Sequence, residues 1–171
     1  MIEKLNNITE LIHIPTHLLD NNCFACGKNN PEGLHMQFYA DDKYLYSEVY
    51  LSEAKRGWEQ IVHGGIISTV LDEIMGWTAI YFTKQFMLTK TIKVDYLNSL
   101  VIGSTVKAVG WIEEQKENKE IIMKAQIYNE ENKLCAESTG NFALFSKKLA
   151  RRLKLMTSET IDQFDAFINA C

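Results

Sequence analysis

The chain has 171 residues, of which 46% are hydrophobic, 11% aromatic and 23% charged; this fits one globular domain and excludes a disordered chain. Two prolines and nine glycines exclude collagen-like or proline-rich low complexity. A net charge of −4 argues against general nucleic-acid binding, which needs a basic footprint, but leaves room for a polyanionic small molecule met by a few local cations.

Residues 1–20 place Ile2, Leu5, Ile8, Leu11 and Ile12 at intervals of three or four. That spacing predicts a short amphipathic helix, ended or bent by Pro15. The same stretch carries acids and amides where a signal peptide needs a basic start and an apolar run. No later run approaches the roughly 18 apolar residues of a membrane span. A cytoplasmic protein without a membrane partner is expected, with Cys23, Cys26, Cys135 and Cys171 as thiols. Residues 21–34 are rich in Asn, Gly and Pro and read as an ordered loop. Two antiparallel strands follow, over 35–40 and 43–51, joined at Asp41-Asp42. Residues 52–62 read as a loop and 64–82 as a helix. Alternation then predicts four strands, over 87–97, 104–113, 120–128 and 134–145, separated by short polar turns. From Lys147 the pattern turns helical again, basic at first and then amphipathic through Ile161, Phe164, Phe167 and Ile168.

The order β-β-α-β-β-β-β predicts an α+β fold, with an antiparallel sheet of about six strands wrapped around one long central helix. The expected division is an N-terminal helical segment (1–22), a domain (23–146) and a C-terminal helical extension (147–171).

At 100° per residue, Ile66, Ile67, Val70, Leu71, Ile74, Trp77 and Tyr81 share one broad side of the helix and suit a sheet. The opposite side holds Gly65, Ser68, Thr69, Asp72, Gly76 and Ala79: small residues around one carboxylate, which needs partners once partly desolvated. Glu73 turns about 100° away and is expected at the rim or in solvent. Gly64 and Gly65 open the helix, where free N–H groups and the positive end of the dipole suit an oxyanion. His63 beside them reads as a hydrogen-bonding residue rather than a base. Gly65 and Asp72 lie two turns apart, about 10 Å along the axis, too far to act on one carbonyl within one chain. Two antiparallel helices would set Gly65 of one copy against Asp72 of the other, so a dimer with shared sites is expected.

The combination of His63-Gly64-Gly65 with Asp72 nine residues after the His, inside this strand order, resembles the hotdog-fold acyl-CoA thioesterases, in their phenylacetate-type and THEM-like branch. The strand after the helix is also similar, with Ser99 where that family usually has Pro and with Gly103 kept. Cys23-Phe24-Ala25-Cys26-Gly27, Asn30-Pro31 and Gly33-Leu34 resemble a block that precedes the fold in one subgroup. The resemblance covers roughly 23–145. It implies a homodimer, often a dimer of dimers, with acyl-CoA sites at the dimer interface. It implies that the Gly65 amide polarises the thioester carbonyl, beside Gly64. The resemblance further implies Asp72 as general base or as nucleophile, and Thr89 as the residue that orients the water. Some relatives carry Asn six residues before the His; here that position is Gly57, with Glu59 or Gln60 as substitutes. Trp58 either lines the acyl pocket or covers the core. Cations for the CoA phosphates come from among Lys84, Lys90, Lys93, Lys147 and Lys148. No metal and no cofactor is expected.

Three other readings compete. His13 and His17 with Cys23 and Cys26 have zinc-like types and spacing, but Pro15 interrupts the histidine pair. A non-catalytic acyl-CoA-binding protein on the same fold has no need of Asp72. A hydratase of this fold needs a catalytic His and carboxylate in a motif that this sequence lacks.

Overall fold

A computed structural model of the chain describes residues 4, 6–19, 21–116, 119–154 and 156–170. Ile2 and Leu5 of the expected N-terminal helix, and Cys171, lie outside the described residues. The strands are β1 (Ile12–His13), β2 (Tyr39–Ala40), β3 (Leu45–Leu51), β4 (Arg56–Trp58), β5 (Ile61–Val62), β6 (Phe86–Tyr96), β7 (Ser104–Gln115), β8 (Glu120–Tyr128) and β9 (Leu134–Phe145). The helices are α1 (Gly64–Thr83), α2 (Lys147–Leu153) and α3 (Ser158–Ala170).

Seven strands form one antiparallel sheet in the order β1-β2-β3-β7-β8-β9-β6. Alternation builds it. In β8, Ile121, Met123, Ala125 and Ile127 are buried while the residues between them are partly exposed, as a sheet covered on one face requires. The covering element is α1, which buries Ile67, Val70, Leu71, Ile74, Met75 and Ala79. The sheet and its central helix form the α+β arrangement that the strand order predicts. Helix and sheet meet closely at Gly110, where a Cβ would lie 2.7 Å from Thr78 Oγ1 and 3.1 Å from the Ile74 carbonyl oxygen. The β2–β3 turn is set by Asp41, whose Oδ1 accepts from the Lys43 and Tyr44 amides at 2.8 Å each.

Four local expectations change. Residues 8–10 form a 3-10 turn rather than part of the expected short amphipathic helix, and Ile12–His13 pairs with Tyr39–Ala40. The strand expected over 35–40 shrinks to Tyr39–Ala40, because the Met36 amide donates instead to the Ala25 carbonyl and His35 turns to φ 52°. The expected loop at 52–62 contains a small hairpin of β4 and β5, and Ile61 bridges to Val101. On α1, Gly76 and Ala79 do not face an open side. They are buried, and Met87 Cε sits where a Gly76 side chain would go, 2.4 Å from an added Cβ.

The C-terminal helices lie on the sheet-helix body. Ser146 caps α2 by accepting from the Leu149 amide at 3.3 Å. In α3, Ile161, Phe164 and Phe167 are buried. The Phe164 ring centroid is 4.1 Å from that of Phe86, and Phe167 meets Trp77 edge-on at 5.5 Å. Among the described residues no helix is long and apolar enough to cross a membrane.

Candidate functional site

Asp72 and Thr89 come from different elements, the middle of α1 and the exposed stretch of β6. The sheet's wrap around the helix brings them together. Thr89 Oγ1 donates to Asp72 Oδ1 at 2.9 Å. Burial pushes the Asp72 carboxyl above the ordinary carboxylate range, and the Thr89 hydrogen bond pulls it part of the way back. The carboxylate keeps a second oxygen, Oδ2, free of Thr89. Desolvated yet partly accessible, Asp72 is a proton acceptor of raised basicity.

The amino end of α1 is built by His63. Its Nδ1 accepts from the Gly65 amide at 2.9 Å, and it caps the helix in that way. The Gly65 N–H expected to meet a carbonyl is therefore engaged in the free chain, although Gly65 itself is exposed. The His63 amide donates to the Lys55 carbonyl at 2.9 Å. That contact explains Gly57, because a Cβ there would lie 2.7 Å from His63 Cα. An Asn at this position has no room.

A residue the sequence reading did not single out completes this end. Tyr96 Oη donates to the Gly64 carbonyl at 3.0 Å and lies 2.6 Å from Ser68 Oγ, so Ser68 supplies the proton of the second bond. Tyr96, Gly64, Ile67, Ile61, Val62 and Leu100 are among the residues lining a cleft of about 320 Å³. One turn of helix deeper, Thr69 Oγ1 donates to the Gly65 carbonyl at 2.9 Å. No local sequence pattern marks Tyr96, because its partners Ser68 and Gly64 lie far back along the chain.

The other expected binding residues stand apart from the cleft. Trp58 is 77% exposed on the β4–β5 hairpin and covers no core. Glu59 and Gln60 form its turn, with Glu59 at φ 48° and the Gln60 carbonyl accepting from Ile102. Lys90 pairs with Glu120, Lys93 with Asp95 at 2.7 Å, and Lys147 with Asp165. Lys84 ends α1 in the left-handed region and lies over the Tyr81 ring. None of these lysines lines the cleft.

Glu73 is not at the rim. It accepts from Trp77 Nε1 at 2.9 Å and from Cys23 Sγ at 3.6 Å. Cys23, Cys26 and Glu73 bring their donor atoms within 4.8 Å of one another. Burial lifts the Glu73 carboxyl to about 7. The hydrogen bond from Cys26, joined by the Cys26 and Ala25 amides, outweighs burial and holds the Cys23 thiol at about 5. That same bond and burial push Cys26 far upward. The two histidines of the zinc-like pattern lie elsewhere: His13 is exposed on β1 against Tyr39, and His17 is exposed.

Residues 59–136 match the family model of the thioesterase superfamily. Over these residues, and in the wrapped sheet and its helix, the chain is similar to the hotdog-fold thioesterases. Solved structures of the same fold include the PaaI protein of E. coli, from the phenylacetic acid degradation operon, at 17% identity and TM-score 0.61 over 66% of this chain and 81% of that one. A thioesterase of Haemophilus influenzae has 17% identity and TM-score 0.62, over 71% and 85% of the two chains. A hypothetical thioesterase of Streptococcus pneumoniae, solved with coenzyme A, has 16% identity and TM-score 0.59, over 65% and 89%. No curated protein sequence matches the chain.

Proposed function

We propose that the chain hydrolyses an acyl-CoA thioester to the free acid and CoA. The observation that carries the reading is the Asp72–Thr89 pair: a partly desolvated carboxylate of raised basicity, held through one oxygen by a hydroxyl donor. The match to the thioesterase superfamily and the coenzyme A in the pneumococcal structure support the substrate class. That pneumococcal protein was also solved with an Asp and, separately, a Thr replaced by Ala, the two residue types paired here.

In this reading Asp72 Oδ2 takes a proton from water, and the water oxygen attacks the thioester carbon. Negative charge builds on the carbonyl oxygen, which becomes a stronger acceptor than the neutral His63 Nδ1 and takes over the Gly65 N–H. The tetrahedral intermediate collapses, the C–S bond breaks, and the leaving CoA thiolate takes the proton held on Asp72, which restores the carboxylate. Asp72 is read as the base because its burial favours accepting a proton.

The site is read as shared between two copies. β6 is eleven residues long and forms an edge of the sheet. It carries exposed Leu88, Ile92 and Tyr96, at 42%, 37% and 55%. A long edge with apolar side chains invites a second chain. A partner there brings its own α1 against Asp72, and also dries Trp58 if the hairpin reaches across.

The test is thiol release from short, medium, long and aromatic acyl-CoAs by the wild-type protein, with its mass measured by light scattering. Hydrolysis of at least one class by a dimer or tetramer is expected. Retention of acyl-CoA without thiol release would make the chain a binding protein of the same fold. Full activity in a monomer would sink the shared site.

A further inference from the structure

Two thiols and a carboxylate converge on a face of α1 about 100° from Asp72, in a place the hydrolysis reading does not use. The turn that presents the thiols is built rather than loose. The Gly27 amide donates to the Cys23 carbonyl at 2.9 Å, and a Cβ at Gly27 would lie 2.5 Å from both the Asn21 oxygen and the Cys23 nitrogen. Only glycine closes this turn. Leu34 and Met36 amides hold the Phe24 and Ala25 carbonyls at 2.9 Å each, and His35 Nδ1 lies 3.1 Å from the Gly27 oxygen. The backbone amides of Ala25 and Cys26 point at the Cys23 sulfur, the arrangement that stabilises a thiolate.

Opposite the turn, Glu73 is fixed by the Trp77 indole N–H, and Trp77 is wedged between Phe38 and Phe167. The carboxylate is thus pre-aimed before any ligand arrives. Zn–S bonds of about 2.3 Å and Zn–O bonds of about 2.0 Å at tetrahedral angles put sulfur and oxygen about 3.5 Å apart. Cys23 Sγ and Glu73 Oε1 are 3.6 Å apart. Two sulfurs and a carboxylate oxygen within 4.8 Å of one another form a donor set that one cation can share.

We propose that Cys23, Cys26 and Glu73 bind a zinc-like divalent ion, which ties the N-terminal turn to the central helix. Thiolates select such an ion over magnesium or calcium. Three protein donors leave a fourth position for water. The role is a brace, set one residue from Asp72 and about 100° around the helix from it.

The experiment titrates the reduced, chelator-stripped full chain with Co2+ and then displaces the cobalt with Zn2+. One Co2+ per chain is expected, with the intense visible bands of a four-coordinate ion and a thiolate charge-transfer band. Cys23→Ser and Cys26→Ser each weaken the charge-transfer band. Glu73→Gln keeps the indole hydrogen bond and the shape of the site, and lowers Co2+ affinity at least tenfold. Cys135→Ser changes nothing. Thermal melts of the metal-free variants separate lost binding from lost folding. Absence of four-coordinate cobalt from the reduced chain overturns the proposal, including the case where Cys23 and Cys26 prove to be a disulfide-forming pair that binds no metal. So does a spectrum and affinity unchanged by Glu73→Gln.

Discussion

Asp72→Asn separates chemistry from folding, because the two effects have opposite signs. The Asn side-chain oxygen still accepts from Thr89 Oγ1, now 2.9 Å away, so the geometry survives. The amide cannot take a proton from water. General-base contributions of about 10²–10⁴ in rate correspond to about 3–5.5 kcal/mol of barrier, and kcat is expected to fall by that factor with KM little changed. Stability moves the other way. Burial raises the folded-state pKa of Asp72 above its ordinary value of 3.8. Its contribution to stability is therefore fully present below that ordinary value and is lost as pH rises through the folded pKa. At neutral pH the ionised carboxylate works against folding, and Asn does not. The variant is expected to melt at or above the wild-type temperature while losing at least two orders of magnitude in thiol release. A rate loss under tenfold would refute the reasoning, as would a loss accompanied by a clear drop in melting temperature.

Thr89→Val removes the hydrogen bond that lowers the Asp72 pKa, so the acidic limb of the kcat–pH profile moves to higher pH; an unmoved limb shows that the pair is not coupled. Phe167→Ala empties a fully buried ring site and costs about 3–5 kcal/mol in urea unfolding, whereas Leu153→Ala, half exposed, costs little. Gly110→Ala forces a methyl to within 2.7 Å of Thr78 Oγ1 and is expected to cost about 1–3 kcal/mol by overpacking, read by thermal melting. Acid unfolding tests Asp41: burial pushes it up, but hydrogen bonds from Lys4, the Lys43 and Tyr44 amides and Tyr46 outweigh burial and hold it at about 2. Its stabilisation is present above 3.8 and is lost as pH falls toward about 2, and Asp41→Asn flattens that part of the curve.

What the sequence makes legible follows the range of the interactions involved. The long strands and α1 announce themselves through periods of two and 3.6 residues, and their observed bounds lie within two residues of the pattern. Ile12–His13 also sits on a helical spacing, but pairing with Tyr39–Ala40 decides its conformation, and no local pattern reports that. The β4–β5 hairpin is held by Ile61 against Val101 and by the Val62 amide on the Leu100 carbonyl, again partners far along the chain. Spacing and resemblance together single out Asp72, Gly65 and Thr89, and the structure joins Asp72 to Thr89 by a hydrogen bond. They do not single out Tyr96, since an exposed strand Tyr looks the same whether or not it bonds a helix terminus. Glu73 shows the limit of a helical wheel. The wheel gives its azimuth correctly and says nothing of the turn at 23–27 that covers it.

The seating of Phe167 against Trp77 reaches beyond local packing. Trp77 is held between Phe38 and Phe167, and its indole holds Glu73. A protease cut between α2 and α3 leaves the sheet and α1 covalently whole, yet it frees the ring that backs this indole. Loss of the last helix is therefore felt some ninety residues upstream, as a loosened carboxylate on the same helix as Asp72. Clipping at α3 becomes a way to loosen a side chain that the cut never touches.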